Sequence, residues 1–163
     1  MRVLILSVCA MLLVSACNFG NVGINRNADG STDITIALTE SDVNNIITNT
    51  LAPAQNPLLR DPQVDLQNGQ IYITGTHDRR DGGGSVSGNL TVNASVTNGQ
   101  VSVVATSLNI EGFAADDARL QDFNNQLAAG LGAGGLGANR DAQITSISIT
   151  DNAFTFTLQL KAK

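Results

Sequence analysis

The 163-residue chain has no tryptophan, one tyrosine and five phenylalanines, so aromatic residues make up only 4% of it. Its core must therefore be filled by aliphatic side chains and by close approach of backbones. Cysteine is almost absent: Cys9 and Cys17 both lie near the N-terminus, which leaves nothing downstream for a disulfide framework or a thiol nucleophile. Positive charge is also scarce, with 9 Lys+Arg against 14 Asp+Glu and a formal net charge of -5. A chain with no arginine cluster beyond Arg79-Arg80 cannot neutralise a phosphate backbone, so no nucleic-acid partner is expected. Most of its faces also suit an anionic membrane surface poorly.

The chemistry of catalysis is missing too. The single histidine, His77, lies in Thr76-His77-Asp78-Arg79-Arg80-Asp81, which reads as a solvated polar loop. No Gly-x-Ser-x-Gly elbow is present, and Gly82-Gly83-Gly84 lacks the Lys-Ser/Thr of a phosphate-binding loop. His77, Asp78 and Asp81 match no calcium loop, and the neighbouring arginines oppose a cation. The expectation is a protein that is not an enzyme, with no catalytic residue, no metal and no cofactor.

What is present begins at the N-terminus. Arg2 precedes an apolar run, Val3 to Val14, of about 12 residues, shorter than the roughly 20 needed to span a bilayer. Val14-Ser15-Ala16-Cys17 follows and resembles the lipobox of bacterial lipoproteins, in which the thiol is acylated, commonly with palmitate, and the chain is cut before the cysteine. That resemblance implies a signal peptide over residues 1–16 and a lipid-bearing Cys17. It places the protein on the extracytoplasmic side, anchored to the cell membrane, or to the outer membrane if the cell has one. Asn18 after the cysteine permits outer-membrane sorting by the same analogy. Two or more acyl chains hold firmly where one is marginal. Residues 17–32, rich in Asn and Gly, read as a flexible spacer, whose reach could approach about 50 Å at roughly 3.3 Å per residue.

Residues 33–163 are enough for one domain. Ile34, Ile36 and Leu38 alternate as a short strand, and Thr39 then caps a helix with Glu40 and Asp42 in its first turn. Val43, Ile46, Ile47 and Leu51 give that helix one apolar stripe, which Pro53 ends. Beyond Pro57 and Pro62 the period becomes two. Val64 and Leu66 pair with Ile71 and Ile73 across Asn68-Gly69. The strand Ser85 to Thr97 turns at Asn98-Gly99 into Val101, Val103 and Ala105, and a change of apolar parity near Thr106-Ser107 requires a bulge. Asp116 and Asp117 open a second helix carrying Leu120, Phe123, Leu127 and Leu131, which the Gly130 to Gly137 segment ends. Ala142 to Thr150, with a second parity break after Ile144, and Ala153 to Leu160 are the last strands. The order is β-α-β-β-β-β-α-β-β.

A sheet with one apolar face needs cover, and the two amphipathic helices are available. The fold class expected is α+β, with a strongly curved antiparallel sheet wrapped around or covered by the helices, since bulges serve curvature. Gly88, Ala94 and Ala105 leave two outcomes open: a solid core, or room inside for an acyl chain.

The segment Leu38-Thr39-Glu40-Ser41-Asp42-Val43-Asn44, the Asn-Gly hairpins and the ending Ile144-Thr145-Ser146-Ile147-Ser148-Ile149-Thr150-Asp151-Asn152 occur in an order that resembles the LmeA-like phospholipid-binding family and related TULIP-type, BPI-like proteins. The resemblance covers about residues 33 to 160. It implies a half-barrel holding a phospholipid or other acyl lipid, lined by Ile46, Ile47, Leu51, Leu90, Val92, Val101, Val103, Phe123, Leu127, Phe154, Phe156 and Leu158. A plain core would use the same residues. Arg79 and Arg80 are candidates for a phosphate headgroup, because arginine fits phosphate. Val92→Asp is expected to abolish the cargo. The competing reading is a non-catalytic envelope scaffold with a filled core and a protein partner not identified by the sequence.

Overall fold

A computed structural model describes residues 21–52, 57–79, 82–113, 118–131 and 142–161. The elements run β1 (Asn21–Arg26), β2 (Thr32–Leu38), α1 (Glu40–Leu51), β3 (Arg60–Gln67), β4 (Gln70–Asp78), β5 (Ser85–Thr97), β6 (Gln100–Ile110), α2 (Ala118–Leu131), β7 (Ala142–Ile149) and β8 (Phe154–Leu160). The strands form two separate antiparallel sheets, one ordered β1-β2-β8-β7 and the other β3-β4-β5-β6.

This corrects the expected fold. The protein is α+β with two helices, but no single sheet wraps around them and neither sheet is strongly curved or closed into a half-barrel. The helices explain the split. Each follows the last strand before a change of sheet, α1 between β2 and β3 and α2 between β6 and β7, so the chain leaves one sheet and enters the other instead of continuing the ladder. Where the sheets meet, two hairpin tips touch β7: the Gly69 amide donates to the Ile149 carbonyl at 3.0 Å, and the Ile144 amide donates to the Gly99 carbonyl at 2.9 Å. Both parity breaks are bulges, with Thr106 extra on β6 opposite Thr91/Val92 and Thr145 extra on β7 opposite Thr157/Leu158.

A second correction concerns the spacer. Within residues 17–32, Asn21–Arg26 is a strand, pairing with β2 from Asn21 opposite Ala37 to Arg26 opposite Thr32. The physical cause is a turn. Asp29-Gly30, with Gly30 at φ +83°, closes a loop in which the Asn27 amide donates to the Ser31 carbonyl and the Ser31 hydroxyl donates to Asp29. Val22 and Ile24 then alternate at period two. Only residues 18–20 separate Cys17 from this strand.

The second sheet would expose two raw edges, and the helices cover both. Thr39 caps α1 through a reciprocal box with Asp42. Along the same helix, Glu40 accepts from the Leu66 amide and Asn44 from the Val64 amide, each at 3.0 Å, so side chains of α1 satisfy the outer edge of β3. On the far edge, Asn124 of α2 accepts from the Ala105 amide of β6 at 3.1 Å. Asn44→Leu should lower stability by about 1–2 kcal/mol, because it leaves the Val64 amide without its acceptor, whereas Asn44→Asp should retain most of it. Urea midpoints test this, and a wild-type midpoint for Asn44→Leu would mean that water replaces the acceptor.

The two helices pack together across the second sheet, and Gly130, still helical, is their point of close approach. A Cβ there would lie 2.5 Å from the Thr50 hydroxyl. The stripe Phe123, Leu127 and Leu131 of α2 is buried beside Val43, Ile47 and Leu51 of α1. Inward residues of both sheets join them in one core.

Candidate functional site

The residues assigned to a lipid lining are found in that core. Ile47, Leu51, Leu90, Val92, Val103, Phe123, Leu127, Phe154, Phe156 and Leu158 are buried, and Ile46 and Val101 are half-buried against them. They are brought together, but as mutual packing partners. Gly88, read from the sequence as possible room, is occupied. It pairs with Gly75 across β4 and β5, and the two bare backbones form a floor on which Leu59 sits. A Cβ at Gly88 would lie 2.7 Å from Ile110 Cγ1 and 3.2 Å from Leu59 Cδ2.

Above that floor, at the C-terminus of α1, is a cleft of about 330 Å³ lined by Thr48, Leu51, Ala52, Pro57, Leu59, Arg60, Asp61 and Pro62. Its buried members, Leu51, Pro57, Leu59 and Pro62, are apolar, while Thr48, Ala52, Arg60 and Asp61 are exposed. Its volume is at the lower end of small-ligand pockets. Only Leu51 was anticipated. Thr48 and Ala52 come from the end of α1, and the other lining residues from the Pro57–Pro62 stretch, where Asp61 adopts φ +48° at a bulge opposite β4. Two prolines around two leucines were the available signal.

Arg60 stands on the rim. Its Nε donates to Asp78 Oδ2 at 2.5 Å, and its terminal amines are not used in that contact. The Asp78 carboxyl lies below the ordinary aspartate range, held there first by the Ser85 hydroxyl and then by Arg60. A depressed folded value means that this contribution is present above the unfolded value of about 3.9 and is lost as pH falls through the folded one. Asp78→Asn should therefore flatten the acid limb of the stability profile in thermal melts, by a small amount that salt reduces further, because both partners are exposed. An unchanged acid limb would show that the ion pair contributes nothing.

Arg79, one headgroup candidate, donates through one terminal amine to Glu111 at 2.6 Å. Arg80 and Cys17 lie outside the described residues, as do Asp81, Asp116 and Asp117. The loop reading of His77 is corrected. It belongs to β4 and is 3% exposed, with Nδ1 2.9 Å from the Leu58 carbonyl and its ring edge-on to Phe113. The imidazole fixes the segment that carries Leu58 and Leu59 against the sheet. Among the described residues, no group of three or more His, Cys, Asp or Glu is placed to hold a metal ion, and no helix is long and apolar enough to cross a membrane.

No family model matches the chain, and no curated protein matches it. Among solved structures there is a weak similarity to the crystal structure of a lipopolysaccharide binding protein, with 11% identity and a TM-score of 0.20 over 88% of this chain. The alignment spans 42% of that protein. The resemblance to the LmeA-like family therefore stands on the order of the sequence motifs alone.

Proposed function

We propose that this chain is a non-catalytic lipoprotein, acylated on Cys17 and held on the extracytoplasmic face of the cell membrane or of an outer membrane. It binds an acyl-chain lipid in the cleft at the end of α1 rather than between the sheets, in the service of lipid transfer or envelope maintenance. The observation that carries this reading is the cleft itself: an apolar floor of Leu51, Pro57, Leu59 and Pro62 under a polar rim whose Arg60 keeps donors for an acidic headgroup. Arg60 joins Arg79 and Arg80 as a candidate for that headgroup.

A closed core favours a second reading, a scaffold that carries no lipid cargo. One experiment separates the two. Native mass spectrometry of the full-length protein from its own membrane should show a bound phospholipid or fatty acid in addition to any covalent acyl mass. Ala52→Trp, at an exposed lining position, should fill the cleft and remove that cargo with little change in melting temperature. Cargo retained by Ala52→Trp would place the site elsewhere, and wild-type protein without cargo would leave the scaffold.

A further inference from the structure

The first sheet carries an apolar row that outruns its cover. Val22 lies opposite Ile36 and then Phe156, and Ile24 lies opposite Ile34 and then Leu158. Residues directly opposite in antiparallel strands project from the same side, so Val22 and Ile24 extend the core-facing side of the sheet onto its edge strand. Phe156 and Leu158 are buried, Ile34 and Ile36 are half-buried, and Val22 and Ile24 are 57% and 73% exposed. The core-facing side is therefore progressively uncovered towards β1.

We infer that this edge rests on the bilayer surface, with Val22 and Ile24 in the headgroup layer and β1 as the strand nearest the membrane. The inference depends on the reading of Cys17 as the lipid-bearing residue. Chain length then fixes the partner: five residues from Cys17 to Val22 reach about 17 Å at full stretch, so the strand cannot leave the vicinity of the bilayer. Charge points the same way. In an acidic chain, β1 contains no carboxylate, and its single charged residue, Arg26, projects on the same side as Val22 and Ile24. An anionic leaflet repels the body and attracts this edge. The depth is limited as well. The outer backbone groups of an edge strand need hydrogen-bond partners, which water and headgroups supply and hydrocarbon does not. The contact is therefore interfacial rather than inserted.

The absence of tryptophan makes the test clean. Full-length protein bearing its acyl chains is reconstituted in phosphatidylcholine and phosphatidylglycerol vesicles, with Ile24→Trp or Val22→Trp as the only indole. Val104→Trp, 51% exposed on the second sheet, serves as the reference. The reporters on β1 should shift to the blue and lose most of their emission to lipids with brominated acyl chains, while the indole at position 104 does neither. A solvated indole at positions 22 and 24 in protein that still floats with the vesicles overturns the membrane contact and leaves the anchor standing. Protein that neither floats nor carries an acyl mass on Cys17 overturns both. A blue shift that grows with protein density and is insensitive to bromine assigns the edge to a second copy of the chain and overturns the inference.

Discussion

Val92→Asp should abolish folding rather than merely empty a lipid site. Val92 is completely buried in the centre of β5, opposite Ile71 of β4 and two residues from Leu90, within the hydrophobic core. The substitution removes apolar burial worth about 1.5–3 kcal/mol and introduces a carboxylate among the apolar side chains of the described core, a further penalty of roughly 3–5 kcal/mol. The sum is comparable with the whole stability of an ordinary domain, about 5–15 kcal/mol. Circular dichroism and thermal melting should show loss of the cooperative transition, while Val92→Ala should keep the transition at a lower midpoint. Loss of cargo in Val92→Asp would consequently be uninformative about binding. A folded Val92→Asp protein with a wild-type midpoint is the outcome that would reopen the interior, since it requires water to reach this side chain.

The local structure was largely legible because local rules decide it. Asn68-Gly69 and Asn98-Gly99 turn where alternation demands, with Asn98 at φ +54° and Gly99 at φ +75°. The parity shifts located the extra residues Thr106 and Thr145, and Thr39 begins α1 as its box with Asp42 requires. Pairing between distant strands was not legible. Periodicity says which side of β2 is apolar but not that β8 and β1, rather than β3, will flank it. The strand β1 was hidden by composition, since its Asn and Gly outweighed two alternating apolar residues and an Asp-Gly turn. His77 was hidden for the opposite reason: its charged neighbours Asp78 and Arg79 face their own ion-pair partners, while the imidazole alternates inward. For the candidate site, the sequence located the apolar residues correctly in the interior but could not show whether they touch one another or a ligand. Glu40 and Asn44 stood within a motif noted for its resemblance, and the structure gives them a physical task on the β3 edge.

Among the described glycines outside the turns, Gly75→Val should be the most damaging single change, and it should disable the cleft together with the fold. The backbone angle at Gly75 is an ordinary one, so the penalty is steric. A Cβ there would sit 2.7 Å from the Arg60 carbonyl oxygen and 3.2 Å from Leu59 Cβ. A side-chain tip could turn away, but a carbonyl in a strand can yield only by moving β3. At this point β3 is already bulged between Arg60 and Gln63, with Asp61 at φ +48°. Overpacking of a close site by one methyl group destabilises by about 1–3 kcal/mol, so Gly75→Ala should fall in that range and the branched Gly75→Val beyond it. Gly23→Ala is the matched control, because its Cβ would meet only Thr35 at an ordinary 3.8 Å, and its effect should stay within about 0.5 kcal/mol. Urea midpoints at constant slope measure all three. Because Leu59 and Arg60 also line the cleft, Gly75→Ala should weaken lipid binding more than its stability loss accounts for. If the two Gly75 variants match Gly23→Ala, then Leu59 and β3 move apart easily. The glycine floor under the cleft would then be a yielding surface, able to widen for a chain thicker than the present cleft admits.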